Sequence, residues 1–513
     1  MSDWTSGYVA DIDYTYGYYR ELNPVLQRFA LLYAGVQPPP VHTACELGFG
    51  QGLSLNVHAA AQAAKWWGTD FNPAQASFAR ELAHHAENGA QLFDDSFAEF
   101  AARSDLPQFD AIGLHGIWSW ISAENQRVVV DFIRRHLKVG GVLYISYNTL
   151  PGWAAAMPLR HLLTQHAELA GNPAAGIVGR INGALDFAEK LFAAQPLYGR
   201  ANPAVPERLK KIKEQNRNYL AHEYFNRDWT PMHFAELAQC LEAAKLSYAA
   251  SAHLLDHIDA VNLSAEMQKL VAEAGHLVLK ETVRDFCVNQ QFRRDLWLRG
   301  LRRLTAFEQA GALRETGFVL TTPAAEIPFK VNAALGEASL QETVYRPVIE
   351  ALAEQQGAPR TLEELMARPA LKALTLGQLT QALAVLTGAG HAHPVQSAEV
   401  VKKVRPATQR LNRHLLERAR HSGAIGYLAS PVTGGAVAVG RFQQLFLLAR
   451  ASGRPQPEQW AQFVWEILAA QGQKIVKEGK TLETAEENLA QLRSEAQAFA
   501  AARLPLLAAL GVA

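Results

Sequence analysis

The chain has 513 residues, enough for two to four domains, and its 49% hydrophobic and 19% charged content belongs to a folded rather than a disordered chain. Lys plus Arg and Asp plus Glu number 49 each, so a formal net charge of zero offers no overall field to steer it towards nucleic acid or an anionic membrane. Three scattered cysteines (Cys45, Cys240, Cys287) supply neither a disulfide framework nor a metal site, no apolar run approaches the roughly 20 residues that span a bilayer, and no basic-then-apolar signal opens the chain, so a cytoplasmic protein without a metal is expected.

Residues 1–40 are rich in tyrosine: Tyr8, Tyr14, Tyr16, Tyr18 and Tyr19 precede Asn23-Pro24 and a helical pattern over 25–35 that Gly35 stops. They read either as an aromatic cap on a sheet edge or as a lid over a ligand. The stretch Val41–Asp70 then reads as strand, tight turn, helix and second strand. Gly48, Gly50 and Gly52 stand at alternate positions, with Phe49 among them, and glycine lets backbone turn sharply and approach a ligand. An acid at Asp70, followed by Phe71, suits the two hydroxyls of a ribose. The spacing is G-x-G-x-G, not the G-x-G-x-x-G of dinucleotide sites, and the Lys-Ser/Thr of a phosphate loop is missing. Glu46 would repel a pyrophosphate and attract an ammonium group.

Asn72-Pro73 opens the next helix. The stretch Gln91-Leu92-Phe93-Asp94-Asp95-Ser96-Phe97 reads as a third strand ending in an acid, with Asp95 the preferred ligand-facing acid and Asp94 the alternative. Strand four, Phe109–Gly116, delivers His115 to the ligand edge as a base or as a neutral wall residue, with Trp118 nearby. Strand five, 142–146, delivers Tyr147 and Asn148. Residues 154–215 read as helices, 222–225 as a short strand, 231–246 as an amphipathic helix and 247–252 as a strand. Past 255 the chain reads as charged helices, and Arg284, Arg293, Arg294 and Arg299 with Asp285 and Asp295 read as a buried ion-paired scaffold rather than a nucleic-acid patch. Residues 361–395 read as helix, turn, helix and strand, and the rest as helix without heptads.

The pattern Glu46-x-Gly-x-Gly-x-Gly52 with Asp70, and the strand-five run L-x-x-G-G-x-L-x-I-S-Y-N over 137–148, resemble class I S-adenosylmethionine (AdoMet) methyltransferases. The segments YLAHEYFN, W-x-P-x-H-F and FRRDLW resemble the methyltransferase regulatory domain behind some bacterial members. The resemblance implies an α/β fold: a doubly wound, Rossmann-like seven-stranded sheet with a helical insertion and a mainly helical C-terminal part. The domains would be an AdoMet-binding core at 1–153, an insertion at 154–215 acting as lid or dimer contact, a sheet-completing and regulatory part at 216–325, and a mainly helical unit at 326–513 compatible with a winged-helix-like module. It implies S-adenosyl-L-methionine as cofactor, held by Glu46, Gly48, Phe49, Gly50, Gly52, Asp70, Phe71, Asp95, Ser96 and His115. Tyr16, His115, Tyr147 and Asn148 are the candidates on the acceptor side. The arrangement is similar to that of bacterial lysine methyltransferases acting on outer-membrane proteins, which implies a protein substrate. A cell-surface glycan or a metabolite is the alternative acceptor, and an AdoMet-binding regulatory partner the non-enzyme alternative. Neither nucleic acid nor membrane is an expected partner.

Overall fold

The computed structural model describes residues 15–513; Tyr8 and Tyr14 lie outside them. Five parallel strands form the centre: β1 (Thr43–Leu47), β2 (Lys65–Thr69), β3 (Gln91–Phe93), β4 (Phe109–Leu114) and β5 (Leu137–Asn148). Two later strands, β6 (Leu246–Ser251) and β7 (Phe292–Arg299), complete a seven-stranded sheet. The order is β3-β2-β1-β4-β5-β7-β6, with β7 antiparallel to both neighbours. The order reverses between β1 and β4, and a crevice opens at the carboxyl ends of strands around such a switch point.

Helices cover both faces, so the strands are apolar on both sides. Along β5, Tyr144 enters the core beneath α1 (Pro24–Tyr33), α2 (Leu53–Ala61) and α3 (Pro73–Ala86). Its neighbours Leu143 and Ile145 enter the opposite core, beneath α4 (Phe97–Ala102) and α5 (Ala123–His136). Asn72 caps α3 by accepting from the Ala74 amide, with Pro73 behind it, and Ser96 and Glu99 form a capping box on α4.

Two expectations are corrected. Residues 222–225 are not a strand: they end the helix Arg217–Tyr224, which Asn216 starts by accepting from the amides of Asn218 and Tyr219. The stretch 290–300 is not helical. It is β7, held between β5 and β6, with Leu296, Trp297 and Leu298 buried. The charges there do not expose the strand because they are neutralised inside it. Arg293 reaches Asp285 at 2.6 Å, Glu281 at 2.8 Å and Asp295 at 3.0 Å. This is the buried ion-paired scaffold expected from the sequence.

The helices between Met157 and Tyr224 close a separate small core around Leu163, Leu185 and Leu209. The C-terminal part instead shares the core of the α2/α3 face. Its helix Ala398–Arg418 lies along α2 and α3, and Thr408 Oγ1 donates to the Ala60 carbonyl at 2.9 Å. Within that part, Gly317–Leu320 pairs antiparallel with Arg360–Thr361 and Ala392–Pro394. Among the described residues, no helix is long and apolar enough to cross a membrane.

Candidate active site

A cavity of about 520 Å³ opens at the carboxyl ends of β1 to β4. Its floor is the turn after β1. Gly48, Gly50 and Gly52 take φ of +69°, +58° and +68°, the left-handed region that side chains rarely enter. A Cβ on Gly48 would stand 2.5 Å from Ile117 Cδ1, and one on Gly52 2.5 Å from Ala79 Cβ. The glycines are thus needed both for the turn and for close packing beside the cavity.

Two buried acids face this turn. Asp70 accepts from the Gly50 amide at 2.8 Å and the Asn72 amide at 3.1 Å. Burial nevertheless raises its pKa to about 7, against the lowering effect of those two bonds. Glu46 is 2% exposed, and its Oε2 has no hydrogen-bond partner among the described residues. Burial, followed by the charge of Asp70, raises the Glu46 pKa to about 8. An orphaned buried carboxylate oxygen is costly, and a cationic ligand group removes that cost.

On the third side Asp95 and Ser96 line the cavity; Asp94 does not. Asp94 is instead tied outward to Arg80 at 2.6 Å. Asp95 is braced by Arg103 at 3.1 Å. The fourth side is His115, sandwiched from one face by the Tyr19 ring at 3.9 Å and bonded through Nδ1 to the Tyr144 hydroxyl at 2.8 Å. Burial lowers its pKa to about 4, so the ring is neutral near pH 7 and a weak proton acceptor. Of the two roles expected for His115, the geometry favours the wall.

All ten residues read as cofactor contacts therefore line one cavity. The acceptor-side candidates do not all join them. Tyr16 packs edge-on against Phe78 at 5.1 Å and does not line it. Tyr147 is 1% exposed and donates to Asp295 at 2.9 Å, within the Arg293 cluster. Asn148 lies buried where its amide donates to Ser119 Oγ and its carbonyl accepts from Met232. Both miss the cavity because β5 runs on past Ile145 and stays paired with β7, Tyr147 opposite Arg293 and Asn148 opposite Phe292. Trp118 is likewise buried, its indole N–H directed to Met232 Sδ.

Other residues line the cavity instead: Tyr19 belongs to the tyrosine-rich stretch read as a cap or a lid, whereas Trp120, Glu223, Asn226 and Asp228 were not singled out by sequence. Tyr19 and Trp120 bring aromatic rings to the cavity lining, and Glu223, Asn226 and Asp228 join it from the chain beyond Asn216. Burial raises Glu223 to about 7, partly offset by Arg160. The missed signal was Asn216. Read as a helix cap, it sets 217–224 as a helix and presents Glu223 near its end.

Comparison with known proteins agrees with this architecture. A model described as "Methyltransferase domain" matches residues 45–145, and one described as "Predicted methyltransferase regulatory domain" matches 216–299. The uncharacterized protein sll1526 of Synechocystis sp. is 44% identical over 99% of both chains. The uncharacterized protein RP789 of Rickettsia prowazekii is 26% identical over 54% of this chain and 50% of its own. The structure of PKMT2 from Rickettsia typhi in complex with AdoHcy superposes with a TM-score of 0.70, at 18% identity, over 95% of this chain and 98% of that one.

Proposed function

The chain belongs to the S-adenosylmethionine-dependent methyltransferases that carry a methyltransferase regulatory domain, and from that premise we propose that its acceptor is the side-chain amine of lysine in a protein. The cofactor supplies a methyl group on a sulfonium centre. Glu46 would hold its ammonium group, Asp70 the ribose hydroxyls and Asp95 the adenine end, with Gly48, Gly50 and Gly52 giving the backbone approach. Phe49, Phe71 and His115 would be apolar and stacking walls. Methyl transfer is an in-line displacement, so positioning and exclusion of water carry most of the rate.

The observation that carries the lysine reading is the lining of the cavity. Tyr19, Trp120 and Glu223 line the same cavity, so a long cationic side chain entering it would find aromatic faces and a carboxyl group there. Aromatic faces favour a cation or a methylated amine. A carboxylate whose pKa is about 7 is a better proton acceptor than an exposed one, so Glu223 would receive the ammonium and take the proton that the nitrogen must lose before the N–C bond forms. The fold is shared with PKMT2 from Rickettsia typhi, whose structure was solved in complex with AdoHcy, and this fits a cofactor in the same crevice. Outer-membrane and other surface proteins are the substrate class to test first.

Glu223→Gln is the test. General acid–base groups contribute about 10²–10⁴ in rate, so transfer to a lysine peptide should fall at least about a hundredfold while AdoHcy affinity holds. The wild-type rate should rise with pH through about 7, as the raised carboxyl ionises, and the variant should lose that step. An unchanged rate and profile would remove Glu223 from the mechanism.

A second expectation concerns Glu46. Its pKa of about 8 leaves it mostly protonated at pH 7. A ligand ammonium favours the ionised form, so binding must expel protons. Binding heats measured in buffers of different ionisation enthalpy should show that release at pH 7, and Glu46→Gln should reduce it. Heats independent of buffer would contradict the contact.

A further inference from the structure

Away from the crevice, two helices bring metal-ligating side chains together. Glu81 and His85 stand one turn apart on α3, and His414 comes from the helix Ala398–Arg418 packed across it. The i, i+4 spacing puts Glu81 and His85 on the same face of α3. One ligand atom from each of the three lies within 4.8 Å of the others, and among the described residues this is the one group of its kind. His414 Nε2 is 3.1 Å from Glu81 Oε1, and the His85 and His414 rings stack at 3.9 Å and 15°.

Two imidazoles and a carboxylate, with water in the remaining position, are a ligand set for Zn²⁺ and its neighbours Co²⁺ and Ni²⁺. Arg418 bonds Glu81 at 3.0 Å and lies over Phe78 at 4.8 Å, so it can orient the carboxylate from outside as outer partners of metal ligands do. We propose that Glu81, His85 and His414 form a divalent transition-metal site that fastens the C-terminal helix to α3. The site has a route to the crevice. Helix α3 starts directly after Asp70 and Phe71 and contributes Gln75 to the cavity lining.

The experiment uses the full chain, stripped with chelator and titrated with ZnCl₂ by calorimetry. One Zn²⁺ per chain is expected, with a rise in thermal midpoint, and CoCl₂ should give visible absorption bands characteristic of histidine ligation. His85 is exposed, so His85→Ala should keep the fold, which AdoHcy binding checks. His85→Ala and His414→Ala should each weaken Zn²⁺ binding by about tenfold or more, comparable to the loss of a ligand-orienting contact. His84→Ala, one residue away and outside the group, should leave it unchanged. No Zn²⁺ binding by the wild-type chain, or binding that survives His85→Ala or His414→Ala, would overturn the site.

Discussion

Replacing Asp70 with alanine is expected to weaken AdoHcy binding by about a hundredfold to a thousandfold. The two donors of a ribose would each make a charge-assisted bond to this carboxylate, and such bonds are worth about 1.5–3 kcal/mol apiece. Two such bonds sum to about 3–6 kcal/mol, and the lower part of that range, about 3–4 kcal/mol, is two to three powers of ten at about 1.4 kcal/mol per decade. The loss has a second source in the empty site. Asp70 also accepts the amides of Gly50 and Asn72, so alanine leaves the glycine turn and the start of α3 without their buried acceptor. Asp70→Asn separates the two sources. An amide keeps one acceptor oxygen but must turn its NH₂ towards one of the two backbone N–H groups. It should fold, and still lose much of the affinity. Calorimetric binding of Asp70→Asn at wild-type strength would remove the ribose role.

Arg293→Met is expected to be among the most destabilising single changes outside the crevice. The guanidinium is 5% exposed on its side chain and faces Glu281, Asp285 and Asp295. It also lies over the Phe234 ring at 4.4 Å, so it joins the strand core to the helix Phe234–Glu242. Removing one partner of a buried ion cluster costs about 3–5 kcal/mol, because the remaining charges stay buried. The pH dependence carries the sign. Burial raises Asp285 to about 7 and Asp295 to about 6 even beside Arg293. Above their unfolded-state values, near 4, the folded chain then binds more protons than the unfolded one, and stability falls as pH rises through these folded values. Without Arg293 the fall should steepen. The thermal midpoint of the variant should approach wild type near pH 5 and lie far below it near pH 8. An equal deficit at both would show that lost packing, not uncompensated charge, dominates.

Much of the cofactor crevice was legible because its chemistry is local. The turn from Glu46 to Gly52 demands glycine at fixed places, and an acid ending β2 has few other uses. These residues lie within about 30 positions of one another, and the strand ends at Asp95 and His115 follow from the same alternation of strand and helix. The acceptor side was not legible for the opposite reason. Tyr147 and Asn148 looked like strand-end residues only while β5 was taken to stop at Ser146. What keeps that strand going is β7, some 145 residues later, and β7 was itself hidden by charges that pair off inside the fold. Glu223 was concealed by the aromatic run around it, which mimics a strand, although Asn216 places it on a helix. The C-terminal part read as a separate unit since its helices are amphipathic on their own. One of them, Ala398–Arg418, packs along α2 and α3 and joins the apolar core of that part to the α2/α3 face of the sheet.

The most direct measurement is transfer of label from methyl-tritiated AdoMet into bacterial lysate, followed by acid hydrolysis and chromatography of the products. Label is expected in protein, eluting as methyl-lysine after hydrolysis, and absent when the added enzyme is Asp70→Ala. Label in polysaccharide or small molecules, or binding of AdoMet with no transfer at all, would contradict protein-lysine methylation.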